Sequence, residues 1–314
     1  MEKTDELLLQ KTRSIPAVIS DGYRLYTGNF KRLFRASWIV ALLYALCFAV
    51  MMSTLIGDVL SIVVTVSTFG MQVLQADGLT LTLLKAGGSV LLFSVAMLAL
   101  ASYAFGACSE HRQTGLISRP VRWWGTFHLK PFLRLLVAAV WVSLVLTVVV
   151  ALFGAIIYGV VSAGIVDSLW KSVATIGLLI ILACVTGAFL LPLAYPVTRF
   201  VVGGTLSWRP PFGGYSLGLR HWSLLFVTLL ATAIVTCLLT FICELPAFVI
   251  GTANAKAYAG EAMCDPLGLP DNMALMAFVA FLVAGFVQAY VHLYSIFPLY
   301  YAYGSIDYEK DSVY

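Results

Sequence analysis

The chain has 314 residues, 61% of them hydrophobic and 11% charged, with a mean hydropathy of +0.95. Soluble domains carry roughly 25% charged residues, so this chain lacks the polar skin that a water-facing fold needs, and its main solvent is lipid. A net charge of only +4, placed at membrane edges, disfavours a nucleic-acid binder, and no nucleic-acid partner is expected.

Residues 1–35 form a basic, amphipathic N-terminal segment with no apolar core like that of a secretory signal, so cleavage is not expected. Six apolar stretches follow, over 37–56, 79–105, 135–161, 173–197, 224–249 and 273–297. Each is long enough for the roughly 20 helical residues that cross a bilayer. They mix Leu, Val and Ala without the alternation of barrel strands, which points to an all-α, polytopic membrane protein. The expected organisation is a cytoplasmic segment (1–35), a six-helix transmembrane domain (36–303) and a cytoplasmic tail (304–314). Residues 58–75 are apolar enough to imitate a seventh span. A span there would put the later basic clusters on the wrong side, so they read as an outward extension of helix one or an interfacial helix, with a re-entrant segment as the alternative.

Sixteen of the nineteen Lys and Arg residues fall before span one, between spans two and three, after span four or in the tail. Only Lys85, Lys171 and Lys256 fall on the other side. Because cytoplasmic loops hold the excess of basic residues, both termini are expected in the cytoplasm of a bacterial inner membrane. Of the six cysteines, Cys47, Cys184, Cys237 and Cys243 lie in spans, Cys108 at a span end and Cys264 in an outer loop. These read as small hydrophobes, not as a disulfide framework.

A threefold internal repeat is legible. Before span one the chain reads GYRLYTGNFKRLF from Gly22, and before span five GYSLGLRHWSLLF from Gly214. Before span three, FHLKPFLRLL places Phe132, Arg134 and Leu135 opposite Phe30, Arg32 and Leu33. The even-numbered spans end on LASYAF from Leu100, PLAYPV from Pro192 and PLYYAY from Pro298. The reading is three pseudo-repeated hairpins, each opened by a cytoplasmic amphipathic segment in contact with membrane lipids. This pattern resembles bacterial six-helix membrane proteins, among them the YciC-like family and the membrane domain attached to some glycerophosphodiester phosphodiesterases. The resemblance implies a cytoplasmic-membrane location and carries over no catalytic residue.

Chemical motifs are scarce. His111, His128 and His221 are scattered at cytoplasmic edges, and no HExxH, CxxC, nucleophile elbow or phosphate-binding loop occurs. No metal, cofactor or catalytic residue is expected, and the chain reads as non-enzymatic. Intramembrane polar residues are then the default suspects. Gln288 and His292 share one face of span six, with Tyr290 and Tyr294 on an adjoining stripe, and Pro298 should bend or end that helix. Lys85 and Glu244 have matching depths near the outer side and could pair, although Lys85 could also snorkel alone. Pro192 and Pro196 break span four ahead of Arg199. The spacings Ala41/Ala45, Ser102/Gly106, Ala280/Ala284 and Gly285/Ala289 permit close helix approach.

On the cytoplasmic side, Arg209-Pro210-Pro211 opens a turn that could dock a cytosolic protein, and Arg122 beside Trp123 and Trp124 forms a second docking candidate. Three readings follow. The first is a transporter-like or envelope protein handling lipid or an apolar small molecule. The second is the membrane subunit of a complex, and the third a lipid-modifying enzyme using His292.

Overall fold

The computed structural model describes residues 9, 11–59, 62, 76–115, 117, 129–162, 168–203, 207–262 and 272–312, and among them there is no strand. Helix α1 spans Ile15–Thr54 and runs into a π-helical turn at Leu55–Val59, while α2 covers Ala76–Thr114 and α3 Leu129–Ser162. Helix α4 (Ser168–Leu190) passes through a 3₁₀ turn at Leu191–Leu193 into α5 (Ala194–Gly203). The short α6 (Tyr215–Arg220) precedes α7 (Trp222–Ala262), and α8 spans Met273–Ser312. Six helical stretches are long and apolar enough to cross a membrane, and the chain is an integral, multi-pass membrane protein. The expected interfacial extension lies almost wholly outside the described residues, as do Arg122, Trp123, Trp124, His128 and Cys264.

The span ends differ from expectation in an informative way. The boundaries expected at 35/36 and 303/304 fall inside α1 and α8, each 40 residues long. At 1.5 Å per residue such a helix is about 60 Å long, twice an apolar layer. The amphipathic segment is thus the first half of α1, with Pro16 in its opening turn, where a missing N–H costs nothing. Val18, Gly22, Leu25, Tyr26 and Leu33 are buried at helical spacing, while Arg24, Lys31, Arg32 and Arg35 are exposed. The buried face lies on α8, and α1 against α8 is the most extensive helix pair. Pro298 neither ends α8 nor stands alone there. Gly22 brings the α1 backbone onto it so closely that an added Cβ would sit 2.6 Å from Pro298 N. Deeper in the membrane the small residues act as expected, since the Cβ position of Gly285 lies 3.2 Å from Ala45 Cα.

Pro192 and Pro196 do interrupt the fourth crossing, at the 3₁₀ turn, because each lacks a helix-ladder donor. The short α6, which leads into α7 and the fifth crossing, is entered through Gly214, whose φ of 98° favours glycine. Gly218 of α6 then rests directly on the Pro192 carbonyl.

The helices that end the three hairpins, α2, α5 and α8, touch one another at one end of the bundle. Around them, α1 packs on α8, α3 on α2, and α6 on the turn after α4. Tyr103, Tyr195 and Tyr301, which hold the same place in LASYAF, PLAYPV and PLYYAY, are all buried. This end carries most of the basic residues and is called the basic end below. Elsewhere the surface of the described residues is largely apolar, with Leu144, Leu152, Ile180, Leu238 and Phe248 among many exposed side chains. A helix surface of this kind is stable only against lipid or another apolar face.

The basic end is locked by polar contacts between chain ends. Arg13, with a side chain 2% exposed, donates through Nε to Asp21 Oδ2 at 2.8 Å and lies 4.6 Å over the Tyr301 ring. Its backbone N–H donates to Ser305 Oγ at 3.1 Å, and Leu9 fills the space above Gly304. His111 Nδ1 and the Tyr300 hydroxyl are 3.0 Å apart. Residues 304–306 are therefore part of the packed core, and the expected tail is a helical buttress.

Candidate functional site

Of the intramembrane candidates, Gln288 and His292 share one face of α8 as expected. The Tyr44 hydroxyl donates to Gln288 Oε1 at 3.3 Å, and the Tyr44 and His292 rings meet edge to face at 6.2 Å. The second stripe has a different role. Tyr294 stacks on Tyr23 at 4.0 Å, and the Tyr290 carbonyl accepts from the Tyr26 hydroxyl at 2.9 Å. Both tyrosines thus belong to the aromatic seam that fastens α1 to α8.

The Lys85–Glu244 pair does not form. Lys85 Nζ lies 3.4 Å from Asp58 Oδ2, because α2 neighbours the end of α1 and not α7. Both side chains are well exposed, at 53% and 39%, so the bond contributes about 0–1 kcal/mol. Lys85→Met is accordingly expected to leave the thermal unfolding midpoint in detergent nearly unchanged; a drop of several degrees would show that the pair is structural.

Glu244 has another context. Thr228, Thr232, Thr236, Thr240 and Glu244 recur every four residues along α7 and form one polar stripe through the apolar layer. Thr232 bonds back to the Thr228 carbonyl at 2.6 Å, the ordinary way a membrane helix absorbs a hydroxyl. The hydroxyls of Thr228, Thr236 and Thr240 and Oε1 of Glu244 are buried with no hydrogen-bond partner. Thr232, Thr236 and Thr240 line an open cavity of about 480 Å³ between α7 and α8, with His292, Ser295, Ile296 and Leu299 lining its α8 side. Its volume falls within the roughly 300–1,000 Å³ of small-molecule sites. The period of four is legible in the sequence, but threonine is mild on a hydropathy scale and ordinary in a membrane helix, so the stripe leaves no strong signal there.

A second concavity, about 510 Å³, opens at the basic end. Arg209, Pro210 and Pro211, singled out as docking candidates, form one wall. Arg112 from α2, Arg199 from α5 and Asp307 from α8 form the others. Asp307 accepts from the Tyr195 and Tyr303 hydroxyls, each at 3.3 Å. In the sequence, Arg112 lies in the basic stretch between spans two and three and Arg199 after span four, and nothing local joins them to Asp307, more than a hundred residues away.

No group of three or more His, Cys, Asp or Glu side chains that could hold a metal ion occurs among the described residues. What the two concavities offer is hydrogen-bonding capacity in an apolar surround and concentrated positive charge. No known family model matches this chain, and neither a curated protein nor a solved structure matches it.

Proposed function

We propose that this integral membrane protein binds, and passes between compartments or leaflets, an apolar or amphipathic small molecule held between α7 and α8, with no chemistry performed on it. The observation that carries the reading is the intramembrane cavity lined by Thr232, Thr236, Thr240 and His292, beside which the Thr236 and Thr240 hydroxyls lie buried without a partner. A buried hydroxyl without a partner costs about 1–3 kcal/mol, and a bound molecule offering an acceptor or donor removes that cost. A lipid or other largely apolar molecule with one polar group fits such a lining.

The basic end faces the cytoplasm in this reading, following the distribution of Lys and Arg. The three hairpins are copies of one unit, a reading supported by the cyclic packing of entry segments on exit helices and by the three equivalent buried tyrosines.

The test is native mass spectrometry of the full chain released from nanodiscs made from its own membrane. The expected spectrum shows a discrete non-covalent mass increment in the wild type that disappears in a Thr236→Val/Thr240→Val variant of equal stability. Bare protein in both, or the same increment in both, would refute the reading.

A further inference from the structure

We propose that the basic-end cleft is a phosphate-binding site, built to hold the phosphomonoester headgroup of an anionic lipid. Three guanidinium groups from three separate segments, Arg112, Arg199 and Arg209, line it together with one carboxylate, Asp307. The lining therefore carries two positive charges in excess, which matches the −1.5 to −2 charge of a phosphomonoester near neutral pH (about the value for a phosphorylated side chain).

Asp307 pairs with Arg112 and Arg199 only loosely. Its oxygens stand 3.9 Å from Arg112 Nη2 and 4.0 Å from Arg199 Nε, outside hydrogen-bond range, and both already accept tyrosine hydroxyls. It spaces the two forks and leaves their donors available. Arg209 makes no ion pair among the described residues. The Arg112 guanidinium lies directly on Gly203, where any side chain would collide with it. The turn carrying Arg209 is stiffened by two prolines and by the Arg209 N–H donating to Ser207 Oγ at 3.2 Å. Arginine forks held in place by a rigid frame recognise phosphate by paired hydrogen bonds, which lysines at a membrane surface do not.

The lipid source follows from α8. Tyr303 lines the cleft, and Leu299, one turn nearer the membrane, lines the intramembrane cavity. A phosphate at the three arginines thus lies on the same helix face as an apolar space in the bilayer. The inference stands whether or not that upper cavity is the transported molecule's site.

The experiment places the full-length protein in phosphatidylcholine nanodiscs doped with phosphatidic acid, the phosphomonoester lipid, and counts retained lipids by native mass spectrometry. A parallel arm follows thermal unfolding in detergent with inorganic phosphate or glycerol phosphate. The expected result is phosphatidic acid retained over phosphatidylcholine by about tenfold or more, falling about tenfold in Arg209→Gln, the size of one charge-assisted contact. Lys31→Gln, at an exposed basic residue outside the cleft, should change nothing. Equal losses in both variants would reduce the effect to general surface charge and overturn the site. Stabilisation by the soluble phosphates without enrichment of phosphatidic acid would overturn the lipid source while leaving a phosphate site. No enrichment and no stabilisation would overturn both.

Discussion

Gly22→Ala is expected to destabilise the folded bundle by about 3 kcal/mol, the upper range for forcing an atom into a packed interface, whereas Gly28→Ala on the same helix should be neutral or stabilising by about 0.5–1 kcal/mol. The contrast is geometric. At Gly22 the new methyl would lie 2.6 Å from Pro298 N and 2.7 Å from its Cα, both backbone atoms that cannot rotate away. At Gly28 it would meet nothing within 4 Å, so only the gain in helix propensity remains. The loss at Gly22 spreads because the same seam carries the Tyr23–Tyr294 stack and the Tyr26 hydrogen bond to the Tyr290 carbonyl. It also aligns Arg13 with Ser305 and Tyr301. Equilibrium unfolding in mixed micelles measures both variants. Equal midpoints for the two would mean that α1 does not rest on α8 as described.

Glu244→Met is expected to do the opposite, raising the stability of the folded bundle. A carboxyl in the apolar layer costs about 2.5–3.5 kcal/mol at mid-membrane and less toward the edge. Glu244 Oε1 has no hydrogen-bond partner to offset that cost. Methionine fills a similar volume without the polar atoms, so a gain of about 1–2 kcal/mol is the expected balance. An unchanged or lower unfolding midpoint would mean that Glu244 is a structural group with a partner in the membrane.

The sequence-based reading succeeded where local physics decides and failed where the partner lies elsewhere in the chain. Hydropathy located all six crossings, and the missing donors of Pro192 and Pro196 located the break before α5. The ends of α1 and α8 were misjudged because an amphipathic helix on a membrane and one packed on another helix show the same periodicity. Only the α8 surface, with Tyr290, Tyr294 and Pro298, tells which it is. Lys85 was matched to Glu244 by depth alone, but depth leaves open which helices are neighbours, and the chain brings Asp58 nearer. The arginine cleft joins α2, α5, the turn at Pro210–Pro211 and α8, a convergence that no single segment records.

The central claim is that α7 and α8 hold a molecule between them. A density map of the protein in nanodiscs of its native lipids, resolved to side chains, tests it most directly. The expected map shows non-protein density against Thr236, Thr240 and His292, with at least one of the two threonine hydroxyls within hydrogen-bond distance of it. A map in which α7 and α8 close together, with both hydroxyls bonded back to the carbonyls four residues earlier and no density between the helices, would contradict the account.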